Sequence, residues 1–375
     1  MTSYQVPGVY VEEPSGLSMS VQAGATAVPV LAFDSTDKLA GELSILNDVT
    51  RFDSWLDVTA RVLKAAKTEA NVDGRLYQSL RLYFLNGGGH CYVAPVTKLA
   101  ELVPGHDDVT LLVQAGASFS NFKTEVNTLA KGQGGYFTIC DGSEAELAAV
   151  SAVSGAMSGF DFTHPENVAV YYPWLRLISQ KPPVSQVPPS GAVAGVYARV
   201  DRERGVWKAP ANVGIVGATP EFKVTDEIDA ACNAPTSGRS INVIRAFRGT
   251  GPLVWGARTL ASSTDRWRYV PVRRLFNAVE KDIRTAMGIA LFEPNSAPTW
   301  ERVRSAAENY VHSLWQQGAL LGRTPAQAYF VHIGRGITMT DDDIDHGRMV
   351  VKIGLAAVRP AEFIVLQLTQ DVVPA

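Results

Sequence analysis

The stretch Arg75-Leu-Tyr-Gln-Ser-Leu-Arg-Leu-Tyr-Phe-Leu-Asn-Gly-Gly-Gly-His-Cys-Tyr-Val-Ala-Pro-Val96 decides the fold. Leu76, Leu80 and Phe84 recur at helical spacing. Asn86 and three glycines then stop the helix, and Cys91–Val96 follows as an apolar strand. The flanking sequence repeats this grammar. Upstream, Val28–Phe33 is an apolar run ending at Asp34. Downstream, Tyr136–Cys140 reads as a buried strand, Ala145–Met157 as an alanine-rich helix and Asn167–Tyr172 as another strand. Strands alternating with helices imply right-handed crossovers and a largely parallel sheet, so the fold class is α/β. Lys181–Ser190 holds four prolines and is expected to be an exposed loop.

The ends read differently. Tyr4–Glu13 reads as a short extended stretch, with Val9 and Val11 on one face and Tyr10 on the other, Pro7 ahead of them and Pro14 closing it. Residues 15–28 run through Ser, Gly and Ala without helical period, as a strand's tether would. At the other end Pro360 breaks the chain before a strand over Phe363–Gln370, with Ile364, Leu366 and Leu368 on one face. Between these ends, Val272, Leu275, Phe276, Val279 and Ile283 mark an amphipathic helix. Trp300, Val303, Ala307, Val311 and Leu314 mark a second, opened by Asn295/Ser296 and Pro298, and Met349–Leu355 reads as a strand. The expected division is an arm over 1–28, an α/β body over 29–245, an α+β domain over 246–358 and a terminal strand over 359–375.

Composition narrows the chemistry. The 375 residues are 46% hydrophobic and only 19% charged, with a net charge of −3, so no global charge marks a nucleic-acid binder. The chain carries no apolar run long enough for a membrane span and no secretory signal pattern at Met1. Cys91, Cys140 and Cys232 are widely spaced and read as packed, reduced thiols. Thr340-Asp-Asp-Asp-Ile-Asp-His346 is the densest carboxylate cluster, but it lacks the calcium-loop pattern and reads as a capped polar turn. Lys131-Gly-Gln-Gly-Gly-Tyr136 precedes a strand, which does not suit phosphate binding. Asp141-Gly-Ser143 lies after a strand, and Ser143 is expected as the N-cap of the next helix. No motif supplies a catalytic constellation, a metal site or a cofactor site.

Seven segments in order resemble the phage tail sheath family. They are Val6-Pro-Gly-Val-Tyr-Val-Glu-Glu13, Leu85-Asn-Gly-Gly-Gly-His-Cys-Tyr-Val93, and Gly195-Val-Tyr-Ala-Arg199 with Arg204-Gly-Val-Trp-Lys-Ala-Pro-Ala-Asn212. Val254-Trp-Gly-Ala-Arg-Thr-Leu260, Arg273-Arg274, Phe292-Glu-Pro-Asn295 and Pro360-Ala-Glu-Phe-Ile364 complete the series. Residues 97–165 match least, in the region where such proteins carry variable outward insertions. The resemblance implies a central domain of subtilisin-like topology without protease activity, and a C-terminal α+β domain whose sheet is completed by arms from neighbouring subunits. It implies a non-enzymatic subunit that polymerises helically, in stacked hexameric rings, around a tail tube. Baseplate and tail terminator proteins would be its further partners, with neither nucleic acid nor membrane insertion involved. The product would be made in a bacterial cytoplasm and end in a virion tail or tail-like particle. Another tail component, of tube or baseplate, and an α/β hydrolase are the alternatives.

Exposed strands at both ends template pairing with other chains. Val9, Tyr10, Val11, Phe363, Ile364, Val365, Leu366 and Leu368 are therefore the expected linking strands, with hinges at 14–26 and 355–361. Residues 245–304 hold eleven basic and five acidic side chains. Arg266, Arg268, Arg273, Arg274, Lys281 and Arg284 are either a solvated face with buried ion pairs or a surface gripping an acidic tube.

Overall fold

Pro29–Phe33 is buried along its whole length, as a strand covered on both faces must be. It is β1 of a computed structural model that describes residues 19–37, 48–66, 74–132, 135–178, 186–233, 238–262 and 264–362. In chain order the strands are β1, β2 (Thr50–Phe52), β3 (Cys91–Pro95), β4 (Leu111–Val113), β5 (Phe137–Asp141), β6 (Val168–Tyr172) and β7 (Leu175–Leu177). Then come β8 (Val213–Gly214), β9 (Ala218–Pro220), β10 (Asn242–Phe247), β11 (Gly251–Val254), β12 (Tyr329–His332) and β13 (Lys352–Leu355). The helices are α1 (Trp55–Ala66), α2 (Arg75–Leu85), α3 (Leu99–Leu102), α4 (Phe119–Leu129), α5 (Val150–Met157) and α6 (Pro189–Arg204). They continue with α7 (Asp226–Asn233), α8 (Val270–Met287), α9 (Ala297–Gln316), α10 (Pro325–Ala328) and α11 (Asp341–Asp345).

Nine strands form one sheet in the order β2-β3-β1-β4-β5-β6-β10-β11-β8. From β3 to β10 every neighbouring pair is parallel, and the antiparallel pairs lie only at the edges. Alternation along β1 sends Leu31 and Phe33 into a core with Leu76, Leu80, Ala192 and Val196 of α2 and α6. Val30 and Ala32 face the opposite core, with Phe122 of α4, Met157 of α5 and Ile228 of α7. The fold is thus mixed α/β, with helices on both faces of a mostly parallel sheet. Residues 97–165, which resemble the sheath family least, supply β4 and β5 in the middle of that sheet.

The segment quoted first behaves as its chemistry dictates. Gly88 N donates to Tyr83 O at 3.0 Å and Gly87 N to Phe84 O at 3.1 Å, closing α2 with Gly87 at φ +101°. Close packing of α2 on α6 depends on glycine: a Cβ on Gly195 would lie 2.3 Å from Tyr83 O.

The second body of elements is built on α8 and α9. Leu275, Val279 and Ile283 of α8 pack on Tyr310, Val311 and Leu314 of α9. The two-stranded antiparallel pair β12–β13 lies against them, through Tyr329, Ile353 and Leu355.

Several expectations need correction. Residues 145–149 are not helical, because α5 begins at Val150 with Ala149 as its N-cap. Leu147 is buried with its N–H on the Tyr172 hydroxyl at 2.8 Å, which holds this stretch off the helical path. Ser143 is therefore no N-cap, and its Oγ closes a local turn with Ala145. Within Lys181–Ser190, Val187 is fully buried in a bridge to Leu175, and Pro189-Ser190 opens α6, where a proline's missing N–H costs nothing. The strand expected over Met349–Leu355 starts only at Lys352, since Met349 and Val351 are drawn into a small cluster with Val303 and Ile333. The large sheet itself runs to Val254.

Candidate assembly interface

The linking strands expected at Val9–Val11 and Phe363–Leu368 lie outside the described residues. What the structure does describe is the root of each arm, where the chain leaves the body.

The N-terminal root is pinned by buried acids. Gly24 N donates to Asp282 Oδ1 at 3.0 Å, while Tyr310 OH donates to Asp282 Oδ2 at 2.6 Å. Burial pushes the Asp282 carboxyl above its ordinary range, against the pull of those two donors. Two residues on, Thr26 Oγ1 donates to Asp201 Oδ2 at 2.5 Å. Asp201 also receives both Arg274 Nη atoms, at 3.0 and 2.6 Å, and Arg274 reaches Thr26 O at 3.0 Å. The guanidinium lies 4.6 Å from the Tyr197 ring centre, so α6, α8 and the arm root meet on one buried fork.

The C-terminal root continues the β13 edge. Leu321 N donates to Ala356 O, Ala356 N to Ala328 O and Val358 N to Ala319 O, at 2.7, 2.8 and 3.2 Å. Glu362 then forks onto Arg258, with Nε at 3.0 Å from Oε1 and Nη2 at 2.5 Å from Oε2. The hinge freedom expected over 14–26 and 355–361 is thus curtailed at 24–26 and at 356–358.

Beside these roots lies the two-stranded sheet β12–β13. Among the described residues, β12 and β13 have only each other, so each has an outer edge without a ladder partner. Two strands alone are marginal in water. The Ile353 and Leu355 side chains of β13 border an apolar groove of about 720 Å³, walled by Phe276, Val279, Ile283 and Met287 of α8. A strand added there would find backbone partners and an apolar wall together.

The six basic candidates do not form one surface. Arg274 is spent on Asp201, with side chains 2% and 5% exposed, so it presents no charge outward. Arg273 donates to Asn167 Oδ1 at 2.8 Å and packs over Trp267, and burial lowers its pKa. Lys281 donates to Val109 O at 3.2 Å, and burial lowers its ammonium pKa as well. Arg268 bonds the Tyr269 hydroxyl, and Arg284 pairs with Glu280 one turn back. Arg266 is exposed, 6.0 Å from the Trp267 ring centre.

The acidic turn is a capping box, with Thr340 Oγ1 accepting from Asp343 N and Asp343 returning the bond to Thr340 N. Asp341 pairs with Arg335, and Asp342 and Asp343 with Arg348. Among the described residues no three His, Cys, Asp or Glu side chains gather as a metal site. Asp141 is a staple: it accepts from Gly116 N and Ser190 N, both at 2.9 Å, and burial pushes its carboxyl up to about 6.

The anchoring residues Asp201, Arg258, Asp282 and Glu362 were not singled out from the sequence. Arg258 and Glu362 had position as their only signal, inside Val254–Leu260 and Pro360–Ile364, and Asp201 and Asp282 had none.

Known proteins carry the same architecture. The sequence profile of the phage tail sheath C-terminal domain matches residues 262–371. The tail sheath protein of Enterobacteria phage T4 is 28% identical over 125 residues, which is 33% of this chain and only 19% of the T4 protein. The sheath of an extracellular contractile injection system, PVC, in its contracted state is 50% identical, with 99% of both chains covered and a TM-score of 0.86. The contracted helical sheath of the anti-feeding prophage is 43% identical over 98% of this chain and 100% of that one, with a TM-score of 0.77. These likenesses define the class as structural proteins of contractile tails. The chain belongs to the contractile tail sheath family.

Proposed function

We propose that this chain is the repeating subunit of a sheath that polymerises helically around a tail tube and contracts to drive the tube through a target envelope. The observation that carries this is 50% identity to a contracted sheath over 99% of the chain, together with a β12–β13 pair whose outer edges have no ladder partner among the described residues. Val9–Val11 and Phe363–Leu368 would each add a strand to a neighbour's β12–β13 pair. Each subunit then gives and receives, a heterologous contact that propagates as rings and helices. Main-chain pairing survives while the tethered bodies rotate, and the gain from new body-to-body contacts adds over the array. No nucleotide and no catalytic group is needed on this account.

The expected division into arm, body, inner domain and terminal strand fits this scheme. Stacked rings of six, a tube, a baseplate and a terminator would be its assembly partners, after synthesis in a bacterial cytoplasm. Identity of 50% to an injection-system sheath against 28% to the T4 protein favours a phage-derived injector. Among the basic residues, we assign the gripping of an acidic tube to Arg266, Arg268 and Arg284, which are less buried than Arg274.

The test is electron microscopy of the purified protein, alone and with tube protein. Hollow, cross-striated tubes support the proposal, and small discrete particles under both conditions overturn it. Deleting residues 1–14 should leave a folded monomer that no longer polymerises, whereas unimpaired tubes would sink the arm mechanism.

A further inference from the structure

A strand's own hydrogen bonds do not fix the direction in which it leaves its parent body. Ahead of the C-terminal arm the chain is held to the body by Glu362 on Arg258. Its partner Arg258 is 6% exposed and rigidly rooted. Asn242 Oδ1 accepts from Arg258 N at 2.7 Å, and Asn242 Nδ2 donates to Arg258 O at 2.8 Å, tying Arg258 to β10 in the large sheet. Nη1 is taken by Asn233 O at 2.5 Å. The remaining edge of the guanidinium, Nε and Nη2, faces the carboxylate, and the Tyr269 hydroxyl stands 3.5 Å from Glu362 Oε2.

We infer that Arg258 and Glu362 are positioning residues for assembly: a buried socket on the body clamps the arm's root and aims the following residues at the neighbouring subunit. This rests on the arm-assembly proposal above. A planar fork fixes angle as well as distance, which a point charge does not. Because Val358 is bonded to Ala319 O, only residues 359–361 span the gap between the β13 edge and the socket, and Pro360 stiffens them. An arm held this way has already lost the orientational freedom that strand addition would otherwise remove. Body rotation on contraction is then passed to the neighbour through the arm, because opening the socket would strand a buried guanidinium.

The experiment compares full-length wild type, Glu362→Gln and Arg258→Lys. Three readouts are taken: melting temperature, hydrogen exchange across 356–362 in the monomer, and the lowest concentration that forms tubes. A clamp predicts that Glu362→Gln melts within a few degrees of wild type, loses protection at 356–362 and needs about tenfold more protein to form tubes. Arg258→Lys, which keeps the charge and loses the fork, should also assemble poorly. Wild-type tube formation by either variant overturns the clamp, as does an assembly loss that only tracks a loss of melting temperature. A wild-type chain that forms no tubes even with tube protein overturns the assembly proposal itself, and the clamp falls with it. That failure is told apart by appearing before any substitution is made.

Discussion

Arg274 and Asp201 form a two-pronged ion pair, at 3.0 and 2.6 Å, with their side chains 2% and 5% exposed. The pair joins α8 to α6 and traps Thr26 between them, so it fastens the arm root and the two bodies at once. Buried pairs of this kind add little net stability over an apolar replacement, but removing one partner is costly.

Arg274→Ala should therefore destabilise the monomer by about 3–5 kcal/mol, since it leaves Asp201 buried without its cation. Arg274→Met combined with Asp201→Leu should recover most of that loss. Urea unfolding of wild type, Arg274→Ala and the double variant checks this, and equal costs for the single and the double variant would refute it.

Asp141 should make stability depend on pH. Its folded value is about 6, against an ordinary value of 3.8, because burial disfavours the charged form. The folded state thus holds a proton that the unfolded chain has released. The contribution of this group is full below about pH 4 and is lost as pH rises through 6. At about 1.4 kcal/mol per unit, the change amounts to roughly 3 kcal/mol. Denaturant midpoints at pH 4.5 and 7 should converge in Asp141→Asn relative to wild type, and an unchanged difference would refute the assignment.

Gly195→Ala should cost about 1–3 kcal/mol or more, because overpacked atoms must move apart. The obstacle is backbone, Tyr83 O at 2.3 Å, and it cannot swing away as a side-chain tip would. Gly89→Ala is the control, since a Cβ there meets nothing within 4 Å. Comparing the two melting curves separates a packing requirement at α2–α6 from a general dislike of alanine.

Reversing Arg266, Arg268 and Arg284 to Glu should uncouple sheath from tube while leaving sheath polymerisation intact. Contacts between exposed charges weaken with salt, over a screening length of about 8 Å at physiological ionic strength. Co-sedimentation with tube protein across a salt series measures this, and salt-independent binding by the variant removes the role.

Local chemistry was legible in the sequence. The α2 stop at Asn86–Gly89, the apolar faces of α8 and α9, and the capping box at Thr340 each depend on residues within a turn or two. Errors arose where a distant group overrode local preference. Tyr172 holds Leu147 off a helix, and Leu175 draws Val187 into the core.

The candidate site shows the division most sharply. Periodicity placed Arg274 on a helix of mixed face, and only the structure buried it against Asp201, 73 residues away. Gly24 and Asp282 lie 258 residues apart and Arg258 and Glu362 104, and neither pair leaves a local trace. By itself the sequence determined the α2 stop, the apolar faces of α8 and α9, the core strands β1, β3, β5 and β6 and a mostly parallel sheet, because those properties follow from side-chain spacing and turn chemistry. Tertiary structure alone decided which charges are spent inside, where each arm root is pinned and which sheet edges lack a ladder partner among the described residues, because these depend on groups that only the folded chain brings together.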